Sequence, residues 1–570
     1  MNRKLYGIFL AAVFGASSFL TSCSSSSHKT ITPPPPTTTP YAFYLSGQDT
    51  LPAGSGNINY YALAGAVTID SSGNVTAGEQ DYNEGFTSTG GISSPEPSGD
   101  TISGGTLTVD ATGQGTLTLT TNNAALGASG TETLGVQFVN ADHALIIQFD
   151  GSATSSGSLD LQTLSGTPSG GFAFTLNGVD PNYFPFAVGG VFTLPSATGD
   201  VVDLNDDGAL TAATPLAVSL GTPDSFGRGT INSTTGLDGV SLNYYVVGPE
   251  AIRIIDVDAT DAAVGSAFGQ GTATGTYTNA SLAAAVFAVS SDPFGDEYGV
   301  AGEITPDSTP VPAIYSGVAE DVELDTSFTS GLASTVSGTY TLASNGYGSL
   351  TISGFGGGNF GAVQVYATDP TLDINDPNNA SGNPDVGGAL LLEWDNGGPL
   401  AGGIGVAVAQ TDTTSTDFAG NYAAGWQNFN DFTACGDCEF DMVANGTMAS
   451  GGALSLTEGL VSDPFETLGL GATTFTGATF TGNPTPDPNP TNAGRLTMLS
   501  TDAPPGGALG ATIDGASGGF DTIIYQASAS QLFWLEYDDN SVFVGPIESQ
   551  GSLTGVPTVA RPVKAQVKKK

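Results

Sequence analysis

The chain has 570 residues, of which 81 are Gly and 33 are Pro, and only 12% of its residues are charged. Lys and Arg number 11 against 55 Asp and Glu, so the formal net charge is −44 at pH 7. Such an acidic chain repels phosphate backbones, so no nucleic-acid partner is expected. Hydrophobic residues make up 39%, which is more than a disordered acidic chain contains, so we expect several folded domains.

Residues 1–22 have the pattern of an export signal. Arg3 and Lys4 precede an apolar run over residues 5–20, which is too short for a stable membrane span. The following segment, LTSC, ends at Cys23 and resembles the bacterial lipobox. This resemblance implies that Cys23 is acylated and becomes the first residue, and Ser24 after it favours the outer membrane. An ordinary signal peptide cleaved nearby is the alternative, and it would give the same exported compartment.

Residues 23–40 are rich in Ser, Thr and Pro and include the run Pro33 to Pro36. A segment of this composition cannot bury a core and favours an extended conformation, so it is predicted to be a tether between lipid and body. Residues 557–570 form a basic tail that ends in Lys568 to Lys570. The tail is predicted to be solvated, and contact with anionic envelope polymers is the alternative.

Four copies of one unit follow the tether, and the clearest marker lies at the end of each copy. The marker is an Asp, a Gly seven residues later and a Gln five residues after that, with three extra residues in the first interval of the third copy. It consists of Asp150, Gly157 and Gln162, then Asp258, Gly265 and Gln270, then Asp395, Gly405 and Gln410, and finally Asp538, Gly545 and Gln550.

We interpret the marker as structural, with the Asp capping a turn and the Gln pairing with backbone where the strand closes. Glu536 and Asp538 resemble the paired carboxylates of a glycosidase. However, two positions along one strand place Cα atoms about 7 Å apart. Recurrence in all four copies also favours architecture over a single active site.

The remaining pattern of each copy predicts β-strands. Gly113 and Gly115 form a turn, after which Leu117 and Leu119 alternate with Thr, as in a half-buried strand. Similar glycine turns, and apolar runs before the marker, recur in every copy. The predicted units are 41–165, 166–275, 276–413 and 414–556, and each has about eight short strands.

The predicted fold class is all-β, with four tandem antiparallel meanders. Eight consecutive strands can close on themselves and so remove exposed edges. We therefore predict four up-and-down barrels in a row, topologically similar to calycins, with two-sheet β-sandwiches as the alternative. The repeated blocks also resemble those of bacterial cell-surface lipoproteins built from tandem β-repeats, over nearly all of residues 41–553. That resemblance implies an envelope location and lends no catalytic residue.

One segment matches the start of a calcium loop. Asp203, Asn205 and Asp207 alternate along the chain and Gly208 follows, but Thr214 stands where the bidentate Glu is expected. A weak Ca²⁺ site is the only cofactor prediction, and ordinary turn residues are the alternative.

Cys435 and Cys438 form a CxxC pair. Because export places them in an oxidising compartment, a local disulfide is predicted rather than redox chemistry or half of a zinc site. His143 is the sole histidine of the body, with Asp142 beside it, and no catalytic role is expected for it.

Three functional hypotheses follow. The preferred one is a non-enzymatic, lipid-anchored envelope protein that contacts glycan or another surface protein, since linked copies gain affinity through effective concentration. The alternatives are a carrier of small apolar ligands inside the barrels and, with least support, a polysaccharide hydrolase. Packed barrel interiors favour the first hypothesis and open interiors favour the second.

Overall fold

The structure is a computed structural model. It describes residues 37–49, 59–84, 99–124, 126–163, 166–182, 184–195, 199–237, 240–257, 261–291, 298–323, 334–355, 360–378, 387–394, 402–414, 419–430, 438–449, 453–465, 473–489, 492–503, 520–536 and 541–557. The predicted signal peptide, Cys23, Asp258, Asp395, Cys435, Asp538 and nearly all of the basic tail lie outside these residues. Within the described ranges, no helix has the length and apolar character needed to cross a membrane.

The first barrel is closed, because each of its eight antiparallel strands bonds to the next and the eighth bonds to the first. Its strands are β1 (Thr38–Asp49), β2 (Asn59–Asp70), β3 (Asn74–Glu84), β4 (Asp100–Val109), β5 (Gln114–Thr121), β6 (Thr131–Phe138), β7 (His143–Gln148) and β8 (Ala153–Leu161).

The second unit is a nine-stranded sheet whose two edge strands are consecutive in the chain and separated only by Leu216. Counted as one bent strand, they complete a ring of eight. The strands are β9 (Gly170–Val179), β10 (Pro185–Leu194), β11 (Val201–Asp206), β12 (Ala209–Pro215), β13 (Ala217–Leu220), β14 (Arg228–Thr235), β15 (Leu242–Gly248), β16 (Ala251–Asp256) and β17 (Ala262–Gly269). Two 3₁₀ turns, Gly271–Ala273 and Asn279–Ser281, lead to the third unit.

The third unit is again a closed barrel. Its strands are β18 (Ala285–Ser290), β19 (Tyr298–Asp307), β20 (Ala313–Glu323), β21 (Ser334–Leu342), β22 (Tyr347–Thr351), β23 (Ala362–Ala367), β24 (Gly388–Glu393) and β25 (Ile404–Ala409).

The fourth unit has eight main strands and the two-residue β30, and it closes where β29 pairs with β31. Its strands are β26 (Gly420–Asn430), β27 (Cys438–Met448), β28 (Leu454–Ser462), β29 (Thr474–Gly482), β30 (Thr485–Pro486), β31 (Arg495–Ala503), β32 (Phe520–Gln526), β33 (Gln531–Glu536) and β34 (Ser541–Ser549). The all-β class is thus confirmed, and the units are closed or nearly closed barrels rather than sandwiches.

The marker glycines explain how each barrel closes. A Cβ on Gly157 would lie 1.9 Å from the Tyr44 carbonyl oxygen of the first strand. The equivalent distance is 2.0 Å at Gly265, Gly405 and Gly545, in each case to a carbonyl oxygen of that barrel's first strand. Only glycine permits this close approach of the last strand to the first.

Apolar side chains fill the barrel interiors. In the first barrel, Phe43, Leu63, Leu117 and Ile146 belong to one buried cluster, and the other barrels have their own clusters. A cavity of only about 20 Å³ is found inside the third barrel. Among the described residues, interiors filled in this way leave little room for a ligand of ordinary size.

The four barrels form a ring, so the predicted row was wrong. The second strand of each barrel packs against the seventh or eighth strand of the next one, and the fourth barrel packs against the first: β2 against β16 and β17, β10 against β24, β19 against β33 and β34, and β27 against β7 and β8. These strands are buried on both faces; for example, all six residues of β7 are buried. A row would expose their outer faces to water at its ends.

Candidate functional site

The marker glutamines join neighbouring barrels. The Nε2 atom of Gln162 donates to the carbonyl oxygens of Phe226 (2.9 Å) and Val246 (2.7 Å) in the second barrel. Equivalent bonds run from Gln270 to Asn345 and Ala367, from Gln410 to Gln526, and from Gln550 to Thr112 and Phe138. The predicted backbone partner therefore belongs to the next barrel rather than to the Gln's own unit, and the fourth set of bonds closes the ring.

The one marker Asp in the described residues caps a turn. Asp150 accepts hydrogen bonds from the backbone nitrogen of Ser152 (3.0 Å), from its hydroxyl (2.5 Å) and from Gln148 Nε2 (2.7 Å). These bonds hold the turn between β7 and β8.

Replacing Gln550 by Met tests the role of the marker. The change removes one of two side-chain donors to the Thr112 and Phe138 carbonyl oxygens, because Gln137 Nε2 also donates to them at 3.1 and 3.2 Å. We therefore expect it to cost about 1 kcal/mol. Asn232, which is exposed on β14, provides the control, since Asn232→Ala should change the melting temperature little. Equal melting temperatures for the Gln550 variant and the parent protein would contradict a joining role.

Three of the four interfaces share an acid that receives a hydrogen bond from a tyrosine of the next barrel. Between the first two barrels, the Nε and Nη2 atoms of Arg228 bond both oxygens of Asp81 at 2.8 and 2.7 Å, and the Tyr245 hydroxyl donates to Asp81 at 2.9 Å. In the second interface Tyr366 donates to Asp203 at 2.8 Å.

The third interface repeats this arrangement. Arg495 Nε donates to Glu320 at 2.6 Å, and the Tyr525 hydroxyl bonds the same carboxylate. The fourth interface differs, since Asn445 donates to Gln137 Oε1 at 3.1 Å. The acids occupy equivalent positions of the repeat, and so do the tyrosines. Alignment of the four units could therefore have identified these interface residues.

Two of the three predicted calcium ligands, Asp203 and Asn205, lie in the second interface. Asp203 and Asn205 are buried on β11; besides the Tyr366 bond, Asp203 accepts from Ala213 N at 2.6 Å, and Asn205 Nδ2 donates to Glu393 at 2.6 Å. Asp207 has a φ of 47° in the tight turn that follows β11. Among the described residues no group of three His, Cys, Asp or Glu could hold a metal ion. The weak Ca²⁺ site stays a prediction.

Cys438 is buried at the start of β27 and is disulfide-bonded. Its predicted partner, Cys435, lies outside the described residues, so the pairing itself stays a prediction.

The barrels all point the same way, which gives the ring two faces. One face contains the start of β1 and the end of β8, which Gln162 follows. We call it the linker face. Because each marker Gln contacts the glycine turn of the next barrel at that same end, the linker faces coincide. The opposite end, where β1 ends and β2 begins, is called the loop face.

A cavity of about 300 Å³ lies where the four barrels meet. Every barrel contributes its first, seventh and eighth strands to the wall. Toward the loop face, equivalent first-strand positions present Ser46, Asn177, Ser290 and Gln427. The middle of the wall is mostly apolar and includes Val264, Leu390, Ile404, Phe533 and Val544.

Charged groups cluster at the linker-face end of this cavity. Arg253 of the second barrel bonds Asp160 of the first at 2.5 Å, and His143 Nδ1 lies 2.8 Å from the other Asp160 oxygen. Arg253 also stacks 4.6 Å from the ring centroid of Tyr44. Glu548 of the fourth barrel completes the cluster, 3.6 Å from His143 Nε2.

These contacts fix the charge of the cluster. Burial alone raises the pKa of Asp160, but the Arg253 guanidinium and His143 outweigh it and hold that pKa at about 2. Burial disfavours the imidazolium of His143, yet the carboxylates of Glu548 and Asp160 raise the pKa of His143 well above its usual value. These carboxylates therefore favour the imidazolium form of His143.

A segment of the third barrel, residues 369–378, crosses to the first barrel on the linker face; we call it the crossing segment. Asn378 Nδ2 donates to the Leu161 carbonyl at 2.7 Å, and Asn140 Nδ2 donates to Asp376 at 2.5 Å. Ile374 and Asn375 of this segment line the cavity. Burial raises the pKa of Asp376 to about 6.

The cluster does not have the geometry of a hydrolytic triad. The Ser158 hydroxyl donates to Asp160 at 2.7 Å, so this serine is bonded to the acid rather than to the base. The carboxylates near the His143 ring are those of Asp160, at Nδ1, and Glu548, at Nε2. The sequence neighbour Asp142 is not one of them. A Ser nucleophile requires direct contact with the imidazole.

Sequence reasoning missed Arg253, which occupies the repeat position of Leu145, Leu390 and Phe533. A signal was present in the composition, because Arg228, Arg253 and Arg495 are the three cations between Lys29 and Arg561. All three form ion pairs between barrels.

The protein is therefore an all-β protein in which four barrels form a ring around a central cavity. No protein family matches the chain. No curated protein shows significant similarity to it.

Some solved structures resemble it weakly. Two variants of the vaccine antigen transferrin binding protein B from Haemophilus parasuis are each 10% identical. The first has a TM-score of 0.18 and covers 73% of this chain and 82% of its own. The second has a TM-score of 0.17 and covers 89% and 94%. The siderophore receptor PirA from Pseudomonas aeruginosa is 8% identical, with a TM-score of 0.13 and coverage of 90% and 81%. Scores this low do not define a shared architecture.

Proposed function

We propose that the protein is an exported, lipid-anchored binding protein without enzymatic activity, which displays the loop face of its ring to a partner at the cell envelope. The observation that carries this proposal is the common orientation of the four barrels. The predicted tether joins β1 at the linker face, so the opposite face is directed away from the lipid.

Packed barrel interiors support binding through surfaces rather than transport of ligands inside the barrels. Within the described ranges, apolar clusters fill the barrels, and the cavity inside the third barrel measures about 20 Å³. Four similar loop-bearing ends on one face allow several weak contacts to act together on a repetitive partner. An envelope glycan or a surface protein offers such repetition.

The ring offers a matched pair of exposed apolar residues for a test. Phe184 is 48% exposed in the connection between β9 and β10 on the loop face, and Val311 is 98% exposed in the connection between β19 and β20 on the linker face. We expect Phe184→Ala to weaken partner binding severalfold, and Val311→Ala to leave it unchanged.

Binding is measured on the chain without residues 1–22 and with Cys23→Ser, so that it is soluble. The immobilised probes are peptidoglycan, lipopolysaccharide and a glycan array, with interferometry for each variant. Equal effects of the two substitutions would contradict the assignment of the loop face. Failure of every probe to bind would contradict the glycan partner.

A further inference from the structure

Side chains of all four barrels line the central cavity, but they do not fill it. Its volume of about 300 Å³ lies at the lower end of the range of small-molecule sites. Protein interiors are otherwise packed to crystal density. Space of this size where four barrels meet is therefore a candidate site, and it is separate from the loop face proposed above.

Two buried polar atoms point into this space without a hydrogen-bond partner in the described residues. His143 Nε2 and Glu548 Oε1 both line the cavity, and their side chains are 1% and 7% exposed. Their separation of 3.6 Å is too long for a good hydrogen bond. The ion pair at this distance leaves neither atom with a hydrogen bond of good length, so an occupant that bonds both of them is favoured.

We propose that the cavity binds one small amphiphile with a neutral hydroxyl head group and an unbranched apolar body, with the hydroxyl placed between His143 and Glu548. A hydroxyl accepts from His143 Nε2 and donates to Glu548 Oε1, so one group satisfies both atoms. The apolar body lies along the wall formed by Leu390, Ile404 and Val544.

The charges around the head position favour a neutral group. An anionic head would lie against Glu548, and a cationic head would lie against the ring of His143 and near Arg253. The cluster is already paired internally through Asp160, which bonds both of those side chains. A net charge added here would be buried without a counter-ion of its own.

Three probes of equal chain length test the head group: 1-decanol, decanoate and decylamine. With the Cys23→Ser chain lacking residues 1–22, we expect 1-decanol to raise the melting temperature by several degrees, and the two charged probes to raise it much less. A stronger effect of decanoate or decylamine would overturn the neutral head group.

A cavity-filling substitution tests the location. Ile404→Trp should abolish the effect of 1-decanol, whereas Ile314→Trp, at a residue that is 42% exposed, should not. Mass spectrometry of extracts from the purified protein gives a second measurement that does not depend on the variants folding. Absence of any co-purified amphiphile together with no stabilisation by any probe would overturn the proposal, as would a crystal structure that shows only water in the cavity.

Discussion

Replacement of Arg495 by Met is expected to destabilise the interface between the third and fourth barrels by about 3 to 5 kcal/mol, because the change leaves a buried carboxylate without its cation. Arg495 is 3% exposed and Glu320 is 5% exposed. The guanidinium also bonds Asp487 at 2.7 Å. Since burial already raises the pKa of Glu320, the loss should be smaller at mildly acidic pH.

A double variant isolates the ion pair. Glu320→Gln removes the charge, so Arg495→Met with Glu320→Gln should recover a large part of the stability lost in the single variant. The melting temperature and hydrogen exchange of β20 and β31 are the measurements, because four barrels need not unfold in one step. A single variant as stable as the parent protein would show that the ion pair does not hold these barrels together.

Substitution of Glu132 by Gln is expected to stabilise the protein above pH 8 and to change it little at pH 4. Glu132 lies in the interior of the first barrel, 1% exposed, with Gln80 Nε2 donating to it at 2.5 Å. Burial raises the pKa of Glu132 to about 8 from an ordinary value of 4.5. The stability that this acid contributes is therefore fully present below pH 4.5 and is lost as the pH rises through 8.

The expected size of this effect follows from the shift. One pKa unit corresponds to about 1.4 kcal/mol, so ionisation of Glu132 costs several kcal/mol, with roughly 5 kcal/mol as an upper bound. Denaturant unfolding of both proteins from pH 4 to pH 9 measures it. Asp307→Asn is the control, because Asp307 is exposed and hydrogen bonds from Thr309 lower its pKa. Parallel stability curves for the Glu132 variant and the parent protein would refute the prediction.

The ion pairs also explain the odd charge balance of the chain. A body with three cations places each of them between two barrels, where Arg228, Arg253 and Arg495 pair with carboxylates of a neighbour. Breaking a buried pair of this kind is costly, although the intact pair adds little net stability over well-packed apolar residues. We infer that these ion pairs determine which barrels pack against each other.

The sequence by itself determined the repeat, the all-β class and the eight-stranded meander, because alternation along a strand and glycine turns are local signals. It also located the marker, since Gly157 and its equivalents stand where a last strand touches a first. Recognition of the unit required no contact between distant residues.

Only the tertiary structure decided that the barrels form a ring. Gln550 donates to the backbone oxygen of Thr112, 438 positions away. Every residue has a backbone carbonyl, so the amino-acid sequence does not indicate which one is the acceptor. Apolar strands such as β7 signal burial on both faces but not the neighbour that covers them. The central cavity, with Asp160, Arg253 and Glu548 from three barrels, exists only because that arrangement closes on itself.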